Sequence, residues 1–289
     1  MTRIIDFHTH IFPDRIAAAA VAKLQAASHT RPFSDGTGTG LKKSMTEAGI
    51  SASVVLPVAT SARQVAHVND ASILLNARAA ETGVFSFGCM HPDFEDAKRE
   101  LRRVAAAGVR GIKLHPVYQG VDIDDPRFLR ILDAAGELGL IVTVHAGLDV
   151  GFPGETQAVP RKIRNALRAV GPLTLICAHM GGWRCWEEAA ELLSDTGAYI
   201  DTSFSLGAMT ANGDGHYPSP EDLALMGEEQ FLRVLRAFGS DRALFGTDSP
   251  WGDQAAEVRR FLALPLMPEE KESILSGNAR RLLFPDTCG

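Results

Sequence analysis

The sequence predicts an α/β fold in which short buried strands alternate strictly with helices. Three observations support it: eight apolar segments of strand length, a helical pattern after each, and His or Asp at the ends of most of them. Strands joined in this way run parallel through right-handed crossovers, and eight such units close into a TIM (β/α)8 barrel. An open doubly wound sheet is the competing architecture, but no Gly-x-Gly-x-x-Gly turn follows the first strand. We expect one domain over residues 1–289.

The predicted strands are apolar runs bounded by turn residues or by charged helices. In chain order they cover 4–11, 52–58, 84–90, 109–114, 140–144, 173–178, 198–204 and 243–246. The predicted helices are alanine-rich or carry apolar residues at helical spacing, and several end at glycine. They cover 13–27, 44–49, 64–82, 93–107, 126–138, a helix ending at 170, 183–194 and 218–238, with two or three more after the last strand.

Other segments are interpreted by their composition. Residues 32–40 are rich in Gly, Ser, Thr and Pro, which predicts a surface loop, either an active-site lid or an insertion. Large apolar residues within the helices and the seventh strand are predicted to lie in the core: Val65, Leu74, Leu132, Tyr199 and Leu232.

Composition excludes several classes of partner. The net charge is −6 and acids and bases are intermixed, so no basic surface for nucleic acid or membranes is expected. No apolar run reaches the roughly 18 residues of a membrane span, and the N-terminus lacks a signal-peptide core. Four cysteines, Cys89, Cys177, Cys185 and Cys288, lack close metal-binding spacing. We expect a cytoplasmic protein with reduced thiols and a small-molecule substrate, and a homodimer is left open.

The first predicted strand carries the pair His8 and His10. Side chains two residues apart on a strand point to the same side, which suits two imidazoles that bind one metal ion. Two unrelated polar histidines at a strand end are the alternative. Later strands add polar residues at the same position, namely His91, Lys113, His115, His145, His179 and Asp248. Active sites of TIM barrels lie at these carboxyl ends, and His with carboxylate is the ligand set of zinc or a related ion.

Five ordered motifs carry a resemblance to a known family. They are Asp6-Phe7-His8-Thr9-His10, the segment 111–116, His145-Ala146-Gly147, the segment 178–182 and Gly246-Thr247-Asp248-Ser249-Pro250. Together they resemble the amidohydrolase superfamily, in the amidohydrolase-related branch that includes aminocarboxymuconate-semialdehyde decarboxylase. The resemblance implies a divalent metal, most simply one Zn²⁺, held by His8, His10, His145 and Asp248.

The same resemblance suggests catalytic roles. Asp248 is expected to act as ligand and as base toward a metal-activated water, and the alternative is an ordinary turn residue. His179 is expected to be a further ligand or to polarise substrate or water. Lys113 lies where many two-metal amidohydrolases have a carboxylated bridging lysine. A buried lysine paired with a carboxylate such as Asp6 is an equal alternative, so a second ion is left open.

Substrate contacts are predicted from loops that follow the strands. We expect His115, Phe12, Arg161 and Trp183 near the substrate, because aromatic and arginine side chains can bind a ring and a carboxylate. The main functional prediction is a metal-dependent hydrolase of a small carbonyl or carboxylate compound. The alternatives are a non-oxidative decarboxylase of a small cyclic or aromatic acid, and a non-catalytic metal-binding protein whose ion is fully ligated by protein.

Overall fold

Parallel β-strands form the centre of the computed structural model, which describes residues 3–285. They form two sheets of three and six strands, and within each sheet every strand pairs in parallel with the next along the chain. The strands are β1 (Ile4–Thr9), β2 (Ile50–Val55), β3 (Val84–Ser86), β4 (Gly88–Cys89), β5 (Gly111–Leu114), β6 (Ile141–Val144), β7 (Leu175–Cys177), β8 (Tyr199–Asp201) and β9 (Ala243–Leu244). Because β3 and β4 are separated only by Phe87, they occupy the place of the third strand of an eight-stranded barrel.

Backbone hydrogen bonds connect the first strand to the last. The amide of Phe7 donates to the carbonyl of Phe245 over 2.7 Å, and the amide of Asp248 donates to the carbonyl of His8 over 2.8 Å. At the other edge, the amide of Phe87 donates to the carbonyl of Val55 over 2.9 Å, which continues the β2–β3 pairing, and the chain passes through Phe87 directly into β4. The predicted TIM-barrel fold is confirmed.

Helices connect the strands and follow the last one. They are α1 (Asp14–Ser28), α2 (Gly38–Ala48), α3 (Val65–Asn76), α4 (Ala79–Thr82), α5 (Ala97–Ala106), α6 (Pro116–Gln119), α7 (Pro126–Glu137), α8 (Pro160–Ala169), α9 (Trp186–Leu193), α10 (Pro220–Leu223), α11 (Glu228–Phe238), α12 (Gln254–Ala263), α13 (Pro268–Glu272) and α14 (Asn278–Leu283). None of the helices between residues 3 and 285 combines the length and apolar character that a membrane-spanning helix needs.

The apolar core has two parts. The larger part lies between the strands and the surrounding helices, and it includes Leu101, Phe128, Ile163 and Phe231. The smaller part consists of strand residues that pack against α14: Ile5, Phe7, Val54, Phe87, Ile141, Ile176 and Leu244, with Ala279 and Leu283. In β6, Ile141 belongs to the smaller part while Val142 and Val144 belong to the larger, as the two-residue period of a strand requires.

Several predicted boundaries differ from the structure. The predicted helix over 64–82 is divided into α3 and α4, and the predicted helix over 218–238 into α10 and α11. The predicted loop over 32–40 is shorter, because Thr37 caps α2 and accepts a hydrogen bond from the amide of Gly40. Leu74 was expected in the core but is 71% exposed. Cys89, Cys177 and Cys185 are free thiols, and Cys288 lies outside the described residues.

Candidate active site

The first predicted ligands meet at the carboxyl ends of β1 and β9. His8 Nε2 and His10 Nε2 lie 3.1 Å apart, and Asp248 Oδ1 lies 3.4 Å from the former and 3.0 Å from the latter. Residues separated by about 240 positions in the chain thus present three donor atoms to one point. Gly246 allows this approach, since a Cβ there would lie 2.9 Å from the Cβ of His8.

Hydrogen bonds fix the tautomers of both histidines. His8 Nδ1 donates to the carboxylate of Asp201 over 2.8 Å, and His10 Nδ1 donates to the carbonyl of Leu56 over 2.8 Å. Because these partners can only accept, each Nε2 is left with a lone pair directed at Asp248. A metal-binding histidine almost always has such a partner on its other nitrogen.

His145 and His179 form a second pair beside the first. His145 Nε2 donates to the carbonyl of Leu148 over 2.9 Å, and His179 Nδ1 lies 2.9 Å from Ser203 Oγ. The remaining nitrogens, His145 Nδ1 and His179 Nε2, lie 3.1 Å apart. His179 is also adjacent to His8, with ring centroids 5.0 Å apart. Two lone pairs that face each other repel unless a cation or proton lies between them, so the donor set fits a divalent cation.

Burial keeps these groups in the states that bind metal. It lowers the pKa of His8 to about 3, assisted by the charge of Lys113, and it lowers the pKa of His145 and His179. Burial by itself raises the pKa of Asp248, but the imidazoles of His10 and His8 outweigh it and hold that pKa at about 2. The imidazoles of His8, His145 and His179 are therefore neutral, and the carboxylate of Asp248 is ionised.

Backbone conformation also marks the site. His179 and Asp248 adopt left-handed conformations, with φ of 59° and 61°. This region costs an L-residue about 1–2 kcal/mol, so the surrounding contacts hold these two residues in place.

Lys113 does not pair with Asp6. The Asp6 carboxylate instead accepts hydrogen bonds from Thr247 and from the side chain of Gln254, and burial raises its pKa to about 7. Lys113 Nζ lies 3.4 Å from His8 Nε2, and burial lowers its pKa to about 8. Asp6 is therefore not the carboxylate beside Lys113, whose amine instead interacts electrostatically with Asp201, Asp248 and Asp149. A bridging role for Lys113 stays a prediction, with its amine beside the ligand cluster.

The structure contains functional residues that sequence reasoning missed. Asp201 was placed inside a predicted strand, although it ends β8 as other site residues end theirs. Ser203 Oγ donates to Asp201 over 2.5 Å. Asp149 lies 3.5 Å from His145 and 3.6 Å from His115, and burial raises its pKa to about 6. The sequence could have indicated Asp149, because it lies four residues after His145 at the end of a strand. Asp149, His115 and His145 form one further group able to hold a metal, and His8, His179 and Asp201 form another.

A cavity of about 720 Å³ opens onto the predicted metal ligands. Three of the predicted substrate contacts, His115, Phe12 and Trp183, line it, and His115 stacks on Tyr118 with ring centroids 3.8 Å apart. Arg161 does not line the cavity: it is exposed near the start of α8, so its position does not support a substrate contact. His91 also lies off the cavity and accepts a hydrogen bond from the amide of Asp93.

Known structures share the fold. An uncharacterised TIM-barrel protein from Bordetella bronchiseptica matches with a TM-score of 0.74 at 20% identity, over 97% of this chain and 98% of that one. The 5-carboxyvanillate decarboxylase of Sphingomonas paucimobilis matches with a TM-score of 0.68 at 16% identity, over 98% and 99%. A dihydroxybenzoic acid decarboxylase from Polaromonas, with bound manganese and the inhibitor 2-nitroresorcinol, matches with a TM-score of 0.65 at 14% identity, over 98% and 97%.

Sequence comparison identifies the family. No curated protein matches the chain. The sequence profile described as Amidohydrolase matches residues 5–284, which include all of the predicted ligands and nearly the whole barrel. That match, together with the clustered imidazoles and carboxylates and the TIM-barrel fold, supports a metal-dependent enzyme, either a hydrolase or a carboxy-lyase. The chain belongs to the amidohydrolase family.

Proposed function

We propose that this enzyme is a metal-dependent decarboxylase that removes CO2 from a small carboxylic acid. The observation that carries the proposal is the convergence of His8, His10 and Asp248 at the end of a buried cavity with few positive charges. Among the described residues that line this cavity, only Arg15 and Lys113 are lysine or arginine. A substrate carboxylate that enters it therefore depends on the metal centre and Lys113 for its counter-charge.

The residues divide the chemistry between them. His8, His10 and Asp248 would hold the divalent ion, with His145 completing the set. When bound, the ion supplies positive charge that orients the substrate and stabilises the negative charge left as CO2 departs. Lys113 adds a second positive charge on the same side, 3.4 Å from His8 Nε2.

A proton must then reach the carbon that has lost CO2. We assign this transfer to His179, because contacts with Ser203 hold its Nδ1 and leave Nε2 on the ligand side of the ring. There Nε2 would take up a proton from water and pass it to the carbon that has lost CO2. Tyr118 and Trp183 supply aromatic faces to a planar acid. The names of two structural neighbours, both decarboxylases of aromatic acids, support the same class of reaction.

Hydrolysis of a small carbonyl compound is the second candidate. The observation in its favour is Asp248, an ionised carboxylate beside two imidazole donors that can accept a proton from an attacking water. For the ion itself we propose Zn²⁺, since mixed imidazole and carboxylate donors suit it. Manganese is the second ion to test, because one structural neighbour holds it.

The experiment compares the two reactions on one preparation. Metal-free protein is reconstituted with Zn²⁺ or with Mn²⁺ and incubated with 2,6-dihydroxybenzoate, with 5-carboxyvanillate, and with a panel of lactones and esters. We expect CO2 release that requires the ion. Hydrolysis of a lactone or ester without CO2 release from any acid would reverse the order of the candidates. A fully protein-ligated ion with no turnover would instead indicate a non-catalytic site.

A further inference from the structure

The cavity is larger than a single-ring acid requires. Its volume of about 720 Å³ lies in the range of pockets that enclose drug-sized ligands. Beyond the metal ligands it extends between α1 and α3. This part, which we call the apolar groove, is defined by Ile16, Ala20 and Leu24 of α1 and by Val68, Ala71 and Leu75 of α3.

Helix geometry explains how the apolar groove forms. Ile16, Ala20 and Leu24 are four residues apart, so they lie on one face of α1. The core of the protein uses a different face of this helix, which buries Ala17 and Val21. Ile16 is left 46% exposed. An apolar helix face that the core does not use is therefore available to a ligand in the cavity.

The opposite wall has the same character. Val68, Ala71 and Leu75 are three and four residues apart on α3, and Gln64, His67 and Ser72 are the polar members of that wall. No lysine, arginine or carboxylate of α3 lines the groove. The charged residues Asp14 and Arg15, which also line the cavity, lie at the start of α1. Between the six apolar side chains a hydrocarbon chain buries apolar surface on both sides.

We propose that the natural substrate is an acid with two parts: a carboxylate head held at the metal centre and an apolar tail that lies in the apolar groove. The head group rests on the proposed function, and the tail rests on the shape and lining of the cavity. Its continuity with the ligand cluster favours one molecule that spans both. Each added methylene should then strengthen binding by about three- to fourfold until the groove is filled.

Binding of a ligand series to the metal-loaded protein tests the tail directly. We would titrate Zn²⁺-loaded protein with benzoate and with 4-alkylbenzoates from methyl to hexyl, and measure affinity by calorimetry. The expected result is a steady rise in affinity with chain length, followed by a plateau. Equal affinity across the series would overturn the proposal, and it is also the result expected if a second copy of the chain covers the groove.

A matched pair of variants locates the tail. Ala71 and Ala66 are both exposed alanines of α3, but only Ala71 lines the cavity. Ala71→Phe should weaken 4-hexylbenzoate by about tenfold and leave benzoate unchanged, while Ala66→Phe should change neither. If Ala71→Phe lowered the affinity for both ligands equally, or if Ala66→Phe lowered the affinity for 4-hexylbenzoate as much as Ala71→Phe does, the groove would be excluded as the binding site of the tail.

Measuring CO2 release in parallel separates the two proposals. If affinity rises with chain length but no CO2 is released, the decarboxylase proposal fails and the proposal of an apolar tail stands. If CO2 is released but affinity does not depend on chain length, the tail proposal fails and the decarboxylase proposal stands.

Discussion

The metal-ligand cluster and the apolar groove belong to one cavity but are built in opposite ways. In the cluster, His8, His10 and His179 each have one ring nitrogen fixed by a protein acceptor or hydroxyl. His8 and His179 are almost fully enclosed, and His10 is partly buried. In the groove, Ile16 is half-exposed, and the six side chains that define the groove are all apolar. The cluster is preorganised by hydrogen bonds, whereas the groove provides apolar surface that a ligand can bury.

Because of this difference, we expect the cluster to determine the reaction and the groove to determine which substrate is preferred. A preorganised set of lone pairs can stabilise developing charge without reorganisation, so small displacements there are costly. A groove lined by alkyl side chains gains free energy in proportion to the area it buries, so changes there are graded. We therefore expect substitutions in the cluster to abolish function and substitutions in the groove to shift substrate preference.

The largest effect is expected for His10→Ala. It removes one of the three converging donors at a side chain that is only partly buried, so the fold should persist. We expect loss of bound metal and a fall in turnover of about 10³-fold, because the ion accounts for several kcal/mol of charge stabilisation. Metal content by mass spectrometry is the measurement. The control is His67→Ala, a groove histidine, and full metal content in His10→Ala would remove His10 from the ligand set.

Asp201→Asn tests the partner that orients a ligand. The amide is similar in size but lacks the charge that holds the proton on His8 Nδ1. Outer partners of this kind contribute about 10- to 100-fold in metal affinity, and we expect a loss of that size. Competition with a chromophoric chelator measures it. Asp195→Asn, at an exposed pair with Arg164, should leave the affinity unchanged, and equal affinities in both variants would contradict the assignment.

Glu100→Gln tests what supports the groove wall. Glu100 accepts hydrogen bonds from Asn69 of α3 and from Arg103, and Asn69 accepts one from the amide of Cys89. The Arg103 guanidinium holds the pKa of Glu100 below its ordinary value. As pH falls, the Glu100 carboxylate is therefore protonated in the unfolded chain before it is protonated in the folded protein. The stabilisation is present above about pH 4.5 and is lost on acidification.

Urea unfolding at pH 7 and pH 4 measures this contribution. At pH 7, Glu100→Gln should lower the free energy of unfolding by about 1–2 kcal/mol, and the deficit should shrink at pH 4. The matched control is Glu81→Gln, which breaks an exposed pair with Arg78 at the same spacing. It should change stability by less than about 0.5 kcal/mol. A deficit that is equal at both pH values would exclude the ionised form of Glu100 as its source.

The smallest effect is expected for Trp183→Phe. Trp183 is buried and lines the cavity, and its indole N–H has no hydrogen-bond partner in the described part of the chain. Stability should change by less than about 1 kcal/mol, while KM for the substrate should rise about two- to tenfold if this N–H donates to it. Trp186→Phe is the control, because its N–H donates to the carbonyl of His179. An unchanged KM in Trp183→Phe would assign the ring a packing role.

The sequence determined the barrel and most of the predicted ligands. Strand and helix periods are local properties, and a chain that alternates them must place the ends of its strands at one rim. His8, His10 and Asp248 could therefore be grouped before their distances were known. Arg161 could not be placed in the same way, because its orientation depends on which face of α8 packs on the barrel.

Only the tertiary structure decided which side chains support the ligands. Asp201 accepts a hydrogen bond from His8, whereas Asp6 accepts hydrogen bonds from Thr247 and Gln254 and does not pair with Lys113. Hydrogen bonds between strands far apart in the chain depend on register and on small shifts such as the one between Asp6 and Thr9, which no local pattern encodes. The apolar groove likewise exists only because two helix faces meet in space, since each by itself resembles an ordinary amphipathic helix.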